Sequence, residues 1–157
     1  MAHAPVHAYL AVGSNLGDRG WACYSAVSAL STHPEIKIVA ISDLVETAPV
    51  GLPERSSPFL NGAIAIETTL TPKALLQELL AIEEKLGRHR NGRWQSRAID
   101  LDLLLYGDKI ISGDDLIVPH PLMHQRRFVL EPLSEIAPDV FHPTMQMTVK
   151  GLLDALA

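Results

Sequence analysis

Two aspartates that lie one residue apart give this sequence its clearest chemical signal. In the segment 99–103, Asp100 and Asp102 alternate with three aliphatic residues. A β-strand would turn the aliphatic side chains to one face and both carboxylates to the other, with the aspartate backbones about 7 Å apart. Such a pair favours a bound cation, and Mg²⁺ suits it because this ion completes its octahedron with water and phosphate oxygens. The alternative is that both aspartates face solvent on an exposed sheet.

A cluster of cationic residues precedes the aspartates. The segment 85–97 contains no aspartate or glutamate. Its cations are Lys85, Arg88, Arg90, Arg93 and Arg97. A metal ion on one side and guanidinium groups on the other would form a site for a polyphosphate. Trp94, among these charges, would either pack or cover a ligand and exclude water. An arginine run alone is also consistent with a solvated face.

Three further features carry weaker signals. The segment 13–17, Gly-Ser-Asn-Leu-Gly, could bind anions through its backbone N–H groups, but it matches neither nucleotide-binding glycine motif, and a tight turn is the alternative. His120 and His124 have the spacing of a zinc pair, but no further zinc ligands accompany them. Contact with phosphate, or a capping role, is therefore favoured for His120. Phe59 and Phe128 would pack in a core or stack on a flat ligand.

The hydrophobic pattern predicts the elements that must position these residues. Strands are expected over residues 8–12, 36–45, 59–69 and 98–106, and helices over 18–33 and 71–87. Thr71 should cap the second helix, with Pro72 in its first turn. This order of elements is typical of the α+β class with a ferredoxin-like split βαβ core, in which helices pack on one face of an antiparallel sheet.

The connections and the C-terminal part are less regular. The segment 47–58 is long and rich in proline, which is typical of a functional loop. After the last strand, Gly107-Asp108 is predicted to turn the chain into a hairpin with Ile110-Ile111. Short helices are expected near Met123 and Val149.

Length and composition limit the class of protein. A chain of 157 residues, 47% of them hydrophobic, fits one folded domain, which we expect to span residues 1–157. The formal net charge of −5 argues against a nucleic-acid or anionic-membrane binder. The single Cys23 is expected to be a small buried hydrophobe, as in a reducing compartment. Because no signal peptide or membrane-spanning run is seen, we expect a cytoplasmic protein. We also expect a monomer.

Four sequence blocks resemble those of the hydroxymethyl-dihydropterin pyrophosphokinase family, and the resemblance extends from residue 8 to about residue 139. The blocks are AYLAVGSNLG at 8–17, FLN at 59–61, RAIDLD at 97–102, and VPHP at 118–121 continuing to RRF at 126–128. Together they are specific, although no single block would suffice. The resemblance implies a Mg²⁺-dependent enzyme of folate synthesis that transfers pyrophosphate from ATP to the hydroxymethyl group of 6-hydroxymethyl-7,8-dihydropterin and releases AMP.

The resemblance also implies roles for individual residues. Asp100 and Asp102 would hold two Mg²⁺ ions on the triphosphate. Arg88 and Arg97 would stabilise phosphate charge in the transition state, while Arg90 and Trp94 would close over the site. The residues implied in ATP binding are Arg88, Arg90, Trp94, Arg97, His120 and Arg126. Those implied in pterin binding are Thr47, Val50, Phe59, Asn61 and Phe128, with the ring stacked between the two phenylalanines.

One departure from the family and two other classes of protein bear on this interpretation. The family usually has Gly-Pro before the arginine that precedes the aspartates, whereas this chain has Gln95-Ser96, which puts loop closure in question. No general base is evident. An RNA-binding domain of the same fold would place paired aromatics on the sheet face that here presents two aspartates. A non-catalytic ATP sensor would bind the nucleotide without forming AMP.

Overall fold

The computed structural model describes residues 4–14, 19–47, 59–87 and 99–156 of the chain. Its strands are β1 (Val6–Ser14), β2 (Ile36–Ile41), β3 (Val45–Thr47), β4 (Phe59–Thr68), β5 (Asp100–Tyr106), β6 (Ile111–Ser112), β7 (Ile117–Val118), β8 (Phe141–His142) and β9 (Met147–Thr148). Its helices are α1 (Arg19–Ser31), α2 (Pro72–Gly87), α3 (Arg127–Ile136) and α4 (Val149–Ala155), with a 3₁₀ turn at Met123–Gln125. Among these described helices, none has the length and apolar character needed to cross a membrane.

The main sheet is antiparallel and has the strand order β2-β4-β1-β5, with β3 paired to the first part of β4. The central strand β1 pairs with β4 from Val6↔Thr68 to Ser14↔Leu60, and with β5 from Ala8↔Tyr106 to Gly13↔Asp100. Together with α1 and α2, these strands form the ferredoxin-like arrangement. The predicted α+β class and split βαβ core are therefore confirmed.

Helices cover both faces of this sheet, whereas the sequence pattern predicted helices on one face only. Ala8, Leu10 and Val12 of β1 are buried in the core formed with α1 and α2. A second core lies on the other face and includes α3 and α4. Its buried members are Ala63, Leu104, Leu105, Met123, Val129, Leu130, Leu133, Ala137, Val149 and Leu152. The uninterrupted apolar run at the end of β5 is the sequence signal for this arrangement, because a strand covered on both faces does not alternate.

The first two helices largely follow their sequence signals. The Thr71 side chain accepts a 3.2 Å hydrogen bond from the Ala74 N–H, so Thr71 caps α2 as predicted. Leu75 and Leu79 are buried in the first core, whereas Leu80, on the outer side of the helix, is 52% exposed. Cys23 in α1 is 1% exposed, and burial raises the pKa of its thiol to about 11. It is the buried, protonated residue that the sequence suggested.

The C-terminal part departs from the predicted hairpin. Gly107 leaves β5 with a positive φ of 54°, as a turn residue should. The next strand, however, pairs Ile111 with Val118 of β7 and not with β5, so the predicted hairpin partner is wrong. The helix α3 was also not predicted, because Pro132 in its middle reads as a helix breaker. The short helices near Met123 and Val149 are confirmed.

Candidate active site

The register of three strands places Asn61, Asp100 and Asp102 on one face of the sheet. Gly13 of β1 pairs with Asn61 on one side and with Asp100 on the other. One row further, Ala11 pairs with Ala63 and with Asp102. Directly paired residues point to the same side of a sheet, so these polar side chains stand on the α3 side, with Asn61 and Asp100 about 10 Å apart. Sequence spacing predicted the shared face of the aspartates, and only the strand register adds Asn61.

Gly13 forms the floor between these side chains. It was interpreted as part of a turn, but β1 continues to Ser14, so Gly13 lies inside the strand; the remainder of that segment is outside the described residues. A Cβ at this position would come within 3.0 Å of Oδ1 of Asn61. Any larger residue would therefore displace the amide from its place. The glycine keeps the centre of the row open beside the asparagine.

The aspartates differ in their surroundings. Asp100 is partly buried at the start of β5, whereas Asp102 is exposed. Leu101 between them is buried in the first core, which fixes the direction of both carboxylates. The residues Asp100 and Asp102 together offer the oxygen ligands that Mg²⁺ prefers, and one or two carboxylates are the usual protein share of such a site. In the described ranges no group of three or more His, Cys, Asp or Glu could enclose a metal, so water and substrate would have to complete the coordination.

His120 is brought to the aspartates by the segment that follows β7. Its backbone N–H donates a 2.9 Å hydrogen bond to the Leu104 carbonyl, which fastens this segment to β5. Its ring Nδ1 accepts from the Leu122 N–H at 3.3 Å, so a neutral imidazole carries its proton on Nε2. Burial lowers the pKa of His120; the Asp102 carboxylate opposes this shift and the Arg126 guanidinium adds to it. The charges of Asp102 and Arg126 therefore both act on the His120 ring.

Arg126 and Phe128 lie at the start of the helix α3. Arg126 is the residue before the helix and has an extended backbone. The carbon at the centre of its guanidinium lies 5.6 Å from the centroid of the Phe128 ring, which is cation–π geometry. Phe128 is partly buried and packs against the second core. The Arg126 guanidinium therefore lies over the Phe128 ring, which itself packs against the second core.

His124 does not join His120 in a metal pair. Its ring lies edge-on to that of His142, with the ring centroids 6.2 Å apart. The weak zinc signal in the sequence thus has another explanation, namely the contact between the 3₁₀ turn and β8. Glu83 is a residue that sequence reasoning passed over; its side chain accepts a hydrogen bond from the backbone of β5.

Two residues predicted to bind the pterin, Thr47 and Phe59, are placed by the pairing of their strands. Thr47 of β3 pairs with Phe59 of β4, and Val45 pairs with Asn61, so the backbone brings Thr47 and Phe59 next to the asparagine. Outside the described residues lie Val50, Arg88, Arg90, Trp94 and Arg97, together with the Gln95-Ser96 departure. Their roles remain predictions.

A cavity of about 520 Å³ lies on the opposite side of the sheet. It is lined by α1 and by the connection between β2 and β3, including Cys23, Tyr24 and Asp43. Val12 and Gly62 also line it, and they face away from the row of Asn61 and Asp100 because neighbouring strand residues alternate in direction. The candidate active site is therefore separate from this cavity.

A ferredoxin-like sheet that presents two carboxylates on one face, with a histidine and an arginine near them, is an arrangement expected of a phosphate-transfer enzyme. Residues 9–138 match the family described as 7,8-dihydro-6-hydroxymethylpterin-pyrophosphokinase (HPPK). The chain belongs to this family. It is a pyrophosphokinase of folate biosynthesis, which transfers pyrophosphate from ATP to hydroxymethyldihydropterin.

Curated relatives carry the corresponding name, and solved structures share the fold. A Bacillus subtilis protein named 2-amino-4-hydroxy-6-hydroxymethyldihydropteridine pyrophosphokinase is 46% identical over 133 residues, which is 85% of this chain and 79% of the relative. A protein of the same name from Methylorubrum extorquens is also 46% identical, over 85% of this chain and 84% of the relative. A crystal structure of wild-type Plasmodium falciparum HPPK-DHPS with pteroate has a TM-score of 0.76 at 16% identity. It covers 99% of this chain, which spans 43% of the longer protein, and at this identity the likeness shows the fold alone.

Proposed function

We propose that this pyrophosphokinase is Mg²⁺-dependent and that Asp100 and Asp102 hold two Mg²⁺ ions on the triphosphate of ATP, with AMP as the released product. The observation that carries the proposal is the shared face of the two carboxylates, with His120 and Arg126 beside Asp102. Bound Mg²⁺ would offset phosphate charge and orient the β-phosphorus toward the hydroxymethyl oxygen. The exposed position of Asp102 leaves room for water and phosphate ligands.

His120 and Arg126 are proposed to bind the phosphates of ATP. The neutral imidazole with its proton on Nε2 can donate one hydrogen bond to a phosphate oxygen, because its Nδ1 is occupied by the Leu122 N–H. The guanidinium of Arg126 can form two parallel hydrogen bonds to an anion while its face remains on Phe128. Both groups are fixed through the backbone, one to β5 and the other to the start of α3.

The pterin ring is proposed to bind at the other end of the row, between Phe59 and Phe128, with Asn61 and the backbone near Thr47 and Val50 reading its polar edge. The pairings Thr47↔Phe59 and Val45↔Asn61 support this proposal because they gather three of these positions at one strand end. The Asn61 amide offers both a donor and an acceptor, as the edge of a pterin requires. Because Gly13 has no side chain, the Asn61 amide can lie close to the backbone of β1 at this point of the row.

The arginines before β5 are proposed to act on the phosphates. Arg88 and Arg97 would stabilise charge in the transition state, and Arg90 and Trp94 would cover the bound nucleotide. The chain geometry supports this, since Arg97 stands three residues before Asp100 and their backbones lie within about 11 Å. A Gln95-Ser96 pair in place of the usual Gly-Pro alters the lead into this arginine.

We further propose that one domain, residues 1–157, acts as a monomer in the cytoplasm. The two cores lie on opposite faces of one sheet, and the family match spans most of the chain. Cys23 is a buried thiol, as expected in a reducing compartment. Sedimentation of the purified protein would test the monomer, and a second species of twice the mass would contradict it.

The catalytic proposal is tested by following AMP with metal and substrates varied separately. Metal-stripped protein should form no AMP from ATP and the hydroxymethyl-dihydropterin until Mg²⁺ is added, and omission of the pterin should also prevent AMP formation. Full activity in the presence of a metal chelator would contradict the proposed role of Mg²⁺. ATP binding without AMP formation would instead support a non-catalytic sensor.

A further inference from the structure

A third carboxylate, that of Glu83, is hydrogen-bonded to the backbone between Asp100 and Asp102. Oε2 of Glu83, near the C-terminal end of α2, accepts a 2.7 Å hydrogen bond from the N–H of Leu101. The Leu101 side chain is 4% exposed and lies in the first core, so the residue between Asp100 and Asp102 is held through both its side chain and its amide.

This hydrogen bond fixes the outer edge of the sheet. The strand β5 is the last strand of the order β2-β4-β1-β5, and its inner side pairs with β1. Backbone N–H groups alternate in direction along a strand, so those of Asp100 and Asp102 point toward β1 while that of Leu101 points to Glu83. The strand begins at Asp100, and the contact lies one residue beyond this start. The backbone of β5 is therefore held on one side by its pairing with β1 and on the other side by the carboxylate of Glu83.

Two further carboxylates lie close to the contact between Glu83 and Leu101, because they belong to the residues on either side of Leu101. Glu83 also lies near the C-terminal end of α2, where the helix dipole opposes an anion. A neutral glutamine could accept the same hydrogen bond from the Leu101 N–H. The negative charge of glutamate would in addition strengthen the attraction of this strand end for a divalent cation.

We propose that Glu83 is a positioning residue for the metal pair: it fixes the backbone of β5 between Asp100 and Asp102 and increases their affinity for the divalent cation. The inference rests on the metal role of the aspartates proposed above. Groups that orient metal ligands typically change metal affinity by about 10- to 100-fold when they are removed. Glu83 acts through the Leu101 amide and through its charge, and it need not touch the ion.

Two substitutions separate these two effects. Glu83→Gln keeps an acceptor for the Leu101 N–H and removes the charge, whereas Glu83→Ala removes both. Glu78→Gln is a matched control, because it changes the same charge in the same helix but lies 3.8 Å from His33. Binding of Mn²⁺ in the presence of a non-hydrolysable ATP analogue, followed by electron paramagnetic resonance, measures metal affinity without turnover. The exchange rate of the Leu101 amide, measured by NMR, reports the hydrogen bond itself.

We expect Glu83→Ala to weaken Mn²⁺ binding by about tenfold or more and to accelerate exchange of the Leu101 amide. Glu83→Gln should retain slow exchange and lose roughly threefold in Mn²⁺ affinity, as a change of charge alone requires. Mn²⁺ affinity within twofold of wild type in both variants would overturn the inference. If Glu83→Ala fails to fold, the glutamine variant alone still decides whether the charge matters.

The same titration distinguishes this inference from the metal assignment on which it rests. Asp102→Asn should abolish the Mn²⁺ signal in otherwise wild-type protein. If Asp102→Asn binds Mn²⁺ normally, the aspartate site is wrong. If Asp102→Asn loses Mn²⁺ while both Glu83 variants bind it normally, the site is correct and only the role of Glu83 is wrong.

Discussion

The chemistry of this enzyme depends on side chains whose direction is set one residue at a time. Leu101 points into the first core, and its neighbours Asp100 and Asp102 must therefore point out on the opposite face. His120 and Arg126 belong to a separate part of the chain, and the charges of Asp102 and Arg126 act on the pKa of His120 in opposite directions. Substitutions of these residues therefore test the charge of each side chain and the direction in which it points.

The first prediction concerns the aspartate pair. Asp100→Asn or Asp102→Asn should remove nearly all AMP formation, because each substitution deletes a charge that the metal ions require. Folding should be retained, which thermal unfolding would check. Asp108→Asn, an exposed aspartate in the turn after β5, is the matched control and should keep full activity. Turnover within about tenfold of wild type in either site variant would refute the metal assignment.

The second prediction concerns the stability of the protein in acid. His142 is 3% exposed; its Nδ1 accepts a 3.0 Å hydrogen bond from the Met145 N–H, and its buried Nε2 has no partner among the described residues. Burial is the main cause that lowers the pKa of His142, and the nearby His124 adds to it. The unfolded chain therefore binds a proton near pH 6.5 that the folded protein resists, so stability is lost as pH falls through that value.

This acid sensitivity can be assigned with one substitution. Between pH 7.5 and pH 5.5, His142 should contribute to a loss in the free energy of unfolding, because its pKa is lower in the folded protein than in the unfolded chain. His142→Asn keeps an acceptor for the Met145 N–H but cannot titrate, so denaturant titrations should show a smaller loss in this variant. Part of the loss should remain, since burial also lowers the pKa of His120. The exposed His7, changed to Asn, is the control; equal losses in His142→Asn and wild type would exclude the assignment.

At the scale of elements, α3 joins the two ends of the substrate site. Phe128 lies in its first turn, and Glu135 near its other end accepts a 2.9 Å hydrogen bond from the Asp43 N–H. Asp43 lies between β2 and β3, and β3 pairs through Val45 with Asn61. The helix therefore connects Phe128, proposed to form one wall of the pterin site, with the strand β3, proposed to lie along the polar edge of the pterin.

The third prediction tests this connection. Glu135→Ala should weaken pterin binding about three- to tenfold, because the lost hydrogen bond releases the start of β3, while the affinity for an ATP analogue should change little. Calorimetric titration of each ligand would measure the two affinities. Glu131→Ala removes a carboxylate of the same helix that pairs only at the surface with Arg127 in the described structure, and it should leave both affinities unchanged. An equal loss for both ligands would point to general destabilisation instead.

The fourth prediction concerns the segments 47–58 and 88–95, which lie largely outside the described residues. The proline content of the first segment, and the three arginines of the second segment close to Arg97, favour closure once phosphate and pterin are both bound. In a Trp21→Phe background, Trp94 emission should therefore change more with an ATP analogue, Mg²⁺ and pterin together than with either substrate alone. Constant emission while both ligands bind would make Trp94 a static packing residue.

At the scale of the whole molecule, the proposed active site lies next to the end of the second core. The row of Ala11 and Ala63 borders this core, whereas the next row, Gly13 with Asn61 and Asp100, continues beyond Ala63 toward the strand ends. The small residues let α3 approach the sheet, and each large aliphatic side chain buried there contributes about 1.5 to 3 kcal/mol. The same packing that stabilises the second face therefore leaves one end of it available to substrates.

Much of this protein follows from local patterns in its sequence. Period-two alternation predicted the common face of Asp100 and Asp102, and helical spacing with a capping threonine predicted α2. The same patterns predicted the βαββαβ order, because short-range sterics and amphipathicity act on neighbouring residues. The family resemblance then supplied the reaction, and the relatives confirm it.

Other features were decided only by the tertiary structure, because they depend on contacts between residues far apart in the chain. The cover of the second sheet face, the pairing of β6 with β7, and the helix around Pro132 all arise from packing that no local window contains. The strand register places Asn61 beside Gly13, and the Glu83 to Leu101 hydrogen bond joins a helix to an edge strand. Sequence determines which side chains can do the chemistry, but the convergence of His120 and Arg126 on Asp102 requires the folded sheet, since chain entropy favours no such meeting until both cores form.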